Sequence, residues 1–104
     1  MRTLMRVSIP VESGNRAIKD GNLERTIQGA MERLRPEAAY FYPENGRRTC
    51  LMVFDLKSPA DVPAIAEPFF MELDASVEMH TVMNVEDLKK GLSSMLEHQG
   101  AVRR

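Results

Sequence analysis

Residues 38–56 read AAYFYPENGRRTCLMVFDL, and this stretch decides the architecture. Two β-rich runs, Ala38 to Tyr42 and Arg48 to Leu56, flank Pro43-Glu44-Asn45-Gly46-Arg47. Asn45-Gly46 suits a two-residue type I′ hairpin, in which both central residues take positive φ. The runs therefore pair antiparallel. With Glu44 opposite Arg47, Tyr42 falls opposite Thr49, Phe41 opposite Cys50 and Tyr40 opposite Leu51. Side chains alternate across a strand, so Tyr40, Tyr42, Thr49, Leu51 and Val53 share one face, and Phe41, Cys50, Met52 and Phe54 the other.

Working outward from the hairpin toward the N-terminus, Pro36 stops a helix in which Leu23, Ile27, Ala30, Met31 and Leu34 keep helical spacing and Asn22 serves as N-cap. Residues 12–22, with Gly14, Asn15, Asp20 and Gly21, read as a long connection holding one helical turn around Arg16 to Lys19. Thr3 to Val11 alternates, with Met5, Val7, Ile9 and Val11 on one side and Leu4, Arg6 and Ser8 on the other, which is a half-buried strand.

Toward the C-terminus, Ser58-Pro59-Ala60-Asp61 marks a helix start, and Val62, Ile65, Ala66, Phe69, Phe70 and Leu73 form the apolar stripe behind it. Pro68 has no N–H for the Ala64 carbonyl, so a kink or break is expected there. Ser76 to Met83 alternates again, placing Glu78, His80 and Val82 on one side. Asn84 and Asp87 then restart a helix with Leu88, Leu92, Met95 and Leu96 on one face, and residues 98–104 are expected to fray.

The order β-α-β-β-α-β plus a C-terminal helix is the ferredoxin-like arrangement of an α+β domain. Right-handed crossovers put both crossover helices on one face of an antiparallel sheet ordered 4-1-3-2, with strands numbered in chain order. The 104 residues suffice for one core, so one domain over 1–104 is expected. A net charge of −1, from 14 basic and 15 acidic residues, argues against a nucleic-acid partner. The single cysteine, Cys50, excludes an intrachain disulfide. With no long apolar run and no secretory leader, the chain reads as reduced and cytoplasmic, with no membrane partner. It has no Gly-rich phosphate loop and no HxxxH, HExxH or CxxC, so no metal or cofactor is expected.

Helices on one face leave the other open. That face carries Leu4, Tyr40, Leu51, Val53 and Val82 around Arg6, Ser8, Tyr42, Thr49, Glu78 and His80, too apolar for a solvated sheet and too polar for a dry core. Two copies meeting through it in an isologous contact would cover the apolar members and enclose a cavity lined by the polar ones. A homodimer with a small-molecule ligand is therefore expected.

The candidate chemistry lies on that face. In one reading Arg6 holds an anionic or enolate oxygen, while His80, oriented by Glu78, exchanges a proton. In the other, Arg6 and Glu78 form a structural cross-strand ion pair and His80 is a spectator. Tyr40 and Tyr42 either clamp a planar ligand beside Ser8 and Thr49 or belong to the interface. Lys19, at the Gly14–Asn22 connection, either receives an anion or belongs to a structural loop. Cys50 reads as a buried, inert thiol.

The element order over residues 3–90 resembles the dimeric α/β-barrel members of the ferredoxin-like fold. These include small antibiotic-biosynthesis monooxygenases, muconolactone-isomerase-like enzymes and stress-responsive barrel proteins. More narrowly, Ile9-Pro10-Val11-Glu12, Gly14-Asn15, Ile18-Lys19-Asp20-Gly21, Glu37-Ala38-Ala39-Tyr40-Phe41, Glu44-Asn45-Gly46-Arg47-Arg48-Thr49 and Ile65-Ala66-Glu67-Pro68-Phe69-Phe70 look like a group of short bacterial proteins of unknown function. The resemblance implies the fold and a homodimer, and transfers no catalytic residue. Three functions stay open. The dimer binds a small, mostly apolar ligand with an anionic group, or it is a cofactor-independent monooxygenase or isomerase using His80 and Arg6, or it is a pure assembly module.

Overall fold

Alternation along the first strand sorts its side chains onto two faces. In a computed structural model of the chain, β1 (Arg2–Ile9) buries Thr3, Met5, Val7 and Ile9 and leaves Arg2, Leu4, Arg6 and Ser8 partly exposed. The structure describes the backbone of residues 1–103 and the side chains of residues 1–98. After β1 come α1 (Val11–Lys19), α2 (Asn22–Leu34), β2 (Ala38–Glu44), β3 (Arg47–Asp55), a 3₁₀ turn (Pro59–Asp61), α3 (Val62–Leu73), β4 (Ser76–Thr81) and α4 (Val85–Arg103). The fold is α+β. Its four-stranded antiparallel sheet runs β2-β3-β1-β4, which from the other edge reads 4-1-3-2.

The β2–β3 turn has Asn45 at φ 54° and Gly46 at φ 74°, the left-handed values a type I′ turn needs. Register follows from it: Glu44 pairs with Arg47, Tyr42 with Thr49, Phe41 with Cys50 and Tyr40 with Leu51. The core is built from Met5, Val7, Ile9, Cys50, Met52 and Phe54 of the sheet against Ala17, Ile65, Phe69 and Leu73 of the helices. The helical side therefore carries α1, α2 and α3.

Several expectations are corrected. Residues 11–19 form a helix rather than a connection with one turn, and β1 ends at Ile9. Pro10 supplies the start, its carbonyl accepting from the Gly14 N–H at 2.9 Å and from the Ser13 hydroxyl at 3.2 Å. The buried residues of α1 are Ser13, Gly14 and Ala17, small side chains that give no apolar periodicity to read. Gly14 lets Arg48 lie close: a Cβ there would stand 2.7 Å from Arg48 Nη1, displacing the end of that side chain, and 3.3 Å from Ile9 Cγ2.

Gly21, at φ 79°, holds the N-cap position of α2 in place of Asn22. The Asn22 side chain instead donates to Glu72 Oε2 at 2.8 Å, tying α2 to α3. Phe41 faces the helical side yet is 54% exposed, since α2 leaves an apolar groove of about 350 Å³ over β2, lined by Ile9, Leu23, Ile27, Phe41 and Cys50 among others. Phe70 is likewise exposed on α3, and β4 ends at Thr81.

Pro68 does not break α3. The Ala64 carbonyl that Pro68 cannot serve accepts a hydrogen bond from Arg33 Nη1 of α2. One donor thus repairs the helix and fastens its neighbour.

At the far end, Asn84 and Asp87 cap α4 reciprocally, Asp87 N–H donating to Asn84 Oδ1 at 2.8 Å and Asn84 N–H to Asp87 Oδ2 at 3.1 Å. Beyond its first turn α4 builds no packed interface with the other described elements. The longest dimension is 65 Å against 28 and 19 Å, and the radius of gyration of 17.7 Å exceeds the roughly 13 Å of a globular chain this long. The fraying expected over residues 98–104 concerns side chains that lie mostly outside the described residues; the backbone is helical to Arg103.

The Pro68 repair predicts a coupling. In urea denaturation, Arg33→Ala should cost about 0.5–1 kcal/mol in the parent and close to nothing in Pro68→Ala, where the restored N–H reaches the Ala64 carbonyl. Equal costs in both backgrounds would show that the bond carries no stability.

Candidate functional site on the uncovered sheet face

Three cross-strand rows make up the face opposite the helices. Tyr42, Thr49, Ser8 and Ser76 form the first; Tyr40, Leu51, Arg6 and Glu78 the second; Ala38, Val53, Leu4 and His80 the third. The two central strands thus place Leu4, Leu51 and Val53 side by side, each half-buried, while Tyr40 at the β2 edge is 64% exposed. No helix of the core-forming set lies over them.

Arg6 organises the polar part. Its Nη1 donates to Glu78 Oε2 at 3.4 Å, and its Nε lies 3.8 Å from Glu44 Oε2. Tyr42 donates its hydroxyl proton to Glu44 Oε1 at 2.8 Å, so the chain of contacts runs Tyr42–Glu44–Arg6–Glu78 from one edge of the sheet to the other. Arg6 Nε is nonetheless buried without a hydrogen-bond partner. Two carboxylates on one guanidinium leave this cluster with a net negative charge, and at these distances and exposures each pair contributes little energy.

The remaining candidates are placed as follows. His80 is exposed, pairs with Leu4 one row from Arg6, and forms no hydrogen bond to Glu78 or Arg6 among the described residues. The Arg6–Glu78 ion pair of the structural reading is present. Thr49 is only 4% exposed and its hydroxyl donates to the Arg47 carbonyl at 3.1 Å, so its proton stays within its own strand. Ser8 is half-buried beside it. Lys19 is exposed in the last turn of α1 on the helical side, apart from every other candidate.

Glu44 was missed. It sits two residues after Tyr42, so strand parity alone places it on this face.

Tyr42 ionises above the usual phenol range, because its proton is held by Glu44 and the site is partly desolvated, with Arg6 opposing. Burial pushes the Cys50 thiol up to about 11. Among the described residues no cluster of three His, Cys, Asp or Glu side chains converges as a metal centre, and no helix is long and apolar enough to cross a membrane. No family model and no curated protein matches the chain.

Two measurements check these environments. In a Tyr40→Phe background, which leaves one phenol, Glu44→Gln should lower the pH at which Tyr42 ionises in ultraviolet titration. A folded pKa above the unfolded value of about 10 means that this contact stabilises the fold below that pH and is lost as pH rises through the folded pKa. An unchanged titration would discount the Glu44 bond. Cys50 should resist an aromatic disulfide reagent in the native protein and react fully in denaturant; rapid native reaction would contradict its burial.

Proposed function

We propose that the chain works as a homodimer in the manner of a ferredoxin-like α/β barrel, two uncovered sheet faces closing on a cavity that takes a small, mostly apolar ligand. The observation that carries the reading is the composition of that face: Leu4, Leu51 and Val53 contiguous on the two central strands, beside an arginine whose Nε makes no hydrogen bond and has Glu44 Oε2 only at 3.8 Å. Apolar side chains in such a row are stabilised by removal from water, and an orphaned N–H by an acceptor.

The charge balance sharpens the ligand. Glu44 and Glu78 already neutralise Arg6 and leave an excess of negative charge, which opposes the anionic group expected from sequence. A neutral acceptor such as a carbonyl meets the exposed part of the Arg6 guanidinium without that repulsion. The apolar body of the ligand then lies on Leu51 and Leu4. Proton exchange by His80 has less support, since Glu78 is engaged with Arg6 rather than with the imidazole.

The test has two stages. The unaltered chain should sediment as a dimer at micromolar concentration, and Leu51→Arg as a monomer with an unchanged circular dichroism spectrum. Acetonaphthone and naphthoate then serve as neutral and anionic probes of similar apolar body. Acetonaphthone should bind the dimer more tightly, and Arg6→Met should weaken it roughly tenfold, the value of one hydrogen bond to a charged group. Tighter naphthoate binding would overturn the neutral-acceptor assignment; binding of neither probe would leave an assembly interface in place of a ligand site.

A further inference from the structure

We propose that α4 is an exchanged arm, crossing in the dimer to the second copy and laying Leu88, Leu92 and Met95 along that copy's β2 edge. The inference rests on the homodimer reading above and adds the surface that completes it.

Three features of the chain point there. First, Leu88, Leu92 and Met95 recur at i, i+4 and i+7, each about half exposed, on a helix that builds no packed interface with the other described elements. A helix of 19 residues with an apolar stripe gains most of its stability from packing that stripe, and none of the other described elements packs against it. Second, β2 is an edge strand with an aromatic side chain exposed on each side, Tyr40 at 64% and Phe41 at 54%. An edge strand is a template for another chain where charge, proline or a covering element does not guard it, and on β2 Pro43 and Glu44 guard only the hairpin end. Third, α4 departs on the side of the open face. Arg2 has the parity of Leu4 and Arg6 on β1 and binds Asp87 in the first turn of α4, with N–O 3.8 Å, so the arm begins where a facing copy would sit.

The sheet order supplies the geometry. β2 and β4 are opposite edges, and a two-fold axis parallel to the strands, midway between two facing sheets, sets β4 of one copy over β2 of the other. An arm leaving β4 then arrives beside the partner's Tyr40 and Phe41. Areas agree with this arrangement. The sheet face alone offers a footprint on the order of 400 Å², about half of the roughly 800 Å² per partner that a stable dimer buries. The part of the helix with described side chains, residues 85–98, is roughly 21 Å long and about 10 Å across. Each copy gives one such strip and receives another, which brings the footprint into the required range.

The decisive experiment mixes two full-length variants of different tag mass under mild oxidation, both carrying Cys50→Ala because Cys50 stands directly opposite residue 41, with Phe41→Cys in one and Leu92→Cys in the other. A disulfide joining the two different chains is expected. In sedimentation, Leu92→Asp should raise the dimer dissociation constant at least tenfold. A dimer that is lost in Leu51→Arg but keeps its affinity in Leu92→Asp, with no mixed disulfide, overturns the arm and leaves the facing sheets intact. An unaltered chain that is monomeric overturns the pairing itself and the arm with it.

Discussion

A four-stranded sheet has two faces, and the helices packed in this core reach only one. Met5, Val7, Cys50, Met52 and Phe54 are withdrawn from water beneath α1 and α3, whereas Leu4, Leu51 and Val53, their neighbours along the same strands, stay half-exposed. Pleat alternation makes this unavoidable: a strand buried on one side must present its other residues to the opposite side. The open face therefore combines half-exposed apolar side chains with a concentration of polar contacts around Arg6.

The helical layer is held by more than apolar burial. No residue of α2 is fully buried, and two polar ties fasten it to α3: Asn22 to Glu72 near its start and Arg33 to the Ala64 carbonyl near its end. The second tie exists because Pro68 frees an acceptor, so an apparent defect in one helix becomes the attachment point of another. On the opposite side of the sheet, Arg6 plays a comparable organising part. Shared between Glu44 and Glu78, it links both sheet edges and sets the sign of the local charge. An arginine read in isolation suggests an anion site; the same arginine between two acids sits in a locally negative field.

Much of this was legible in the sequence. Asn45-Gly46 predicted the hairpin and its register, Ser58 and Asn84 with Asp87 marked helix starts, and period-two alternation assigned most side chains to their faces. The misses have a common origin. α1 buries Ser13, Gly14 and Ala17, whose small size leaves no hydrophobic signal, and Arg48, remote in the chain, lies against Gly14. Asn22 was read as a local cap, but its partner is Glu72, far along the chain. Phe41 has core parity, yet its exposure depends on where α2 happens to stop covering β2.

Quantities that depend on near neighbours can be read along the chain: which turn closes the hairpin, which residues pair across it, which face each side chain takes. These follow from φ preferences and strand parity, both local. It takes the packed fold to reveal that residues 11–19 coil into a helix, that Arg6 is divided between Glu44 and Glu78, and that α4 stands away from the other described elements. Each of those depends on the distance between segments remote in the chain, which packing of the whole establishes and no window of the sequence contains.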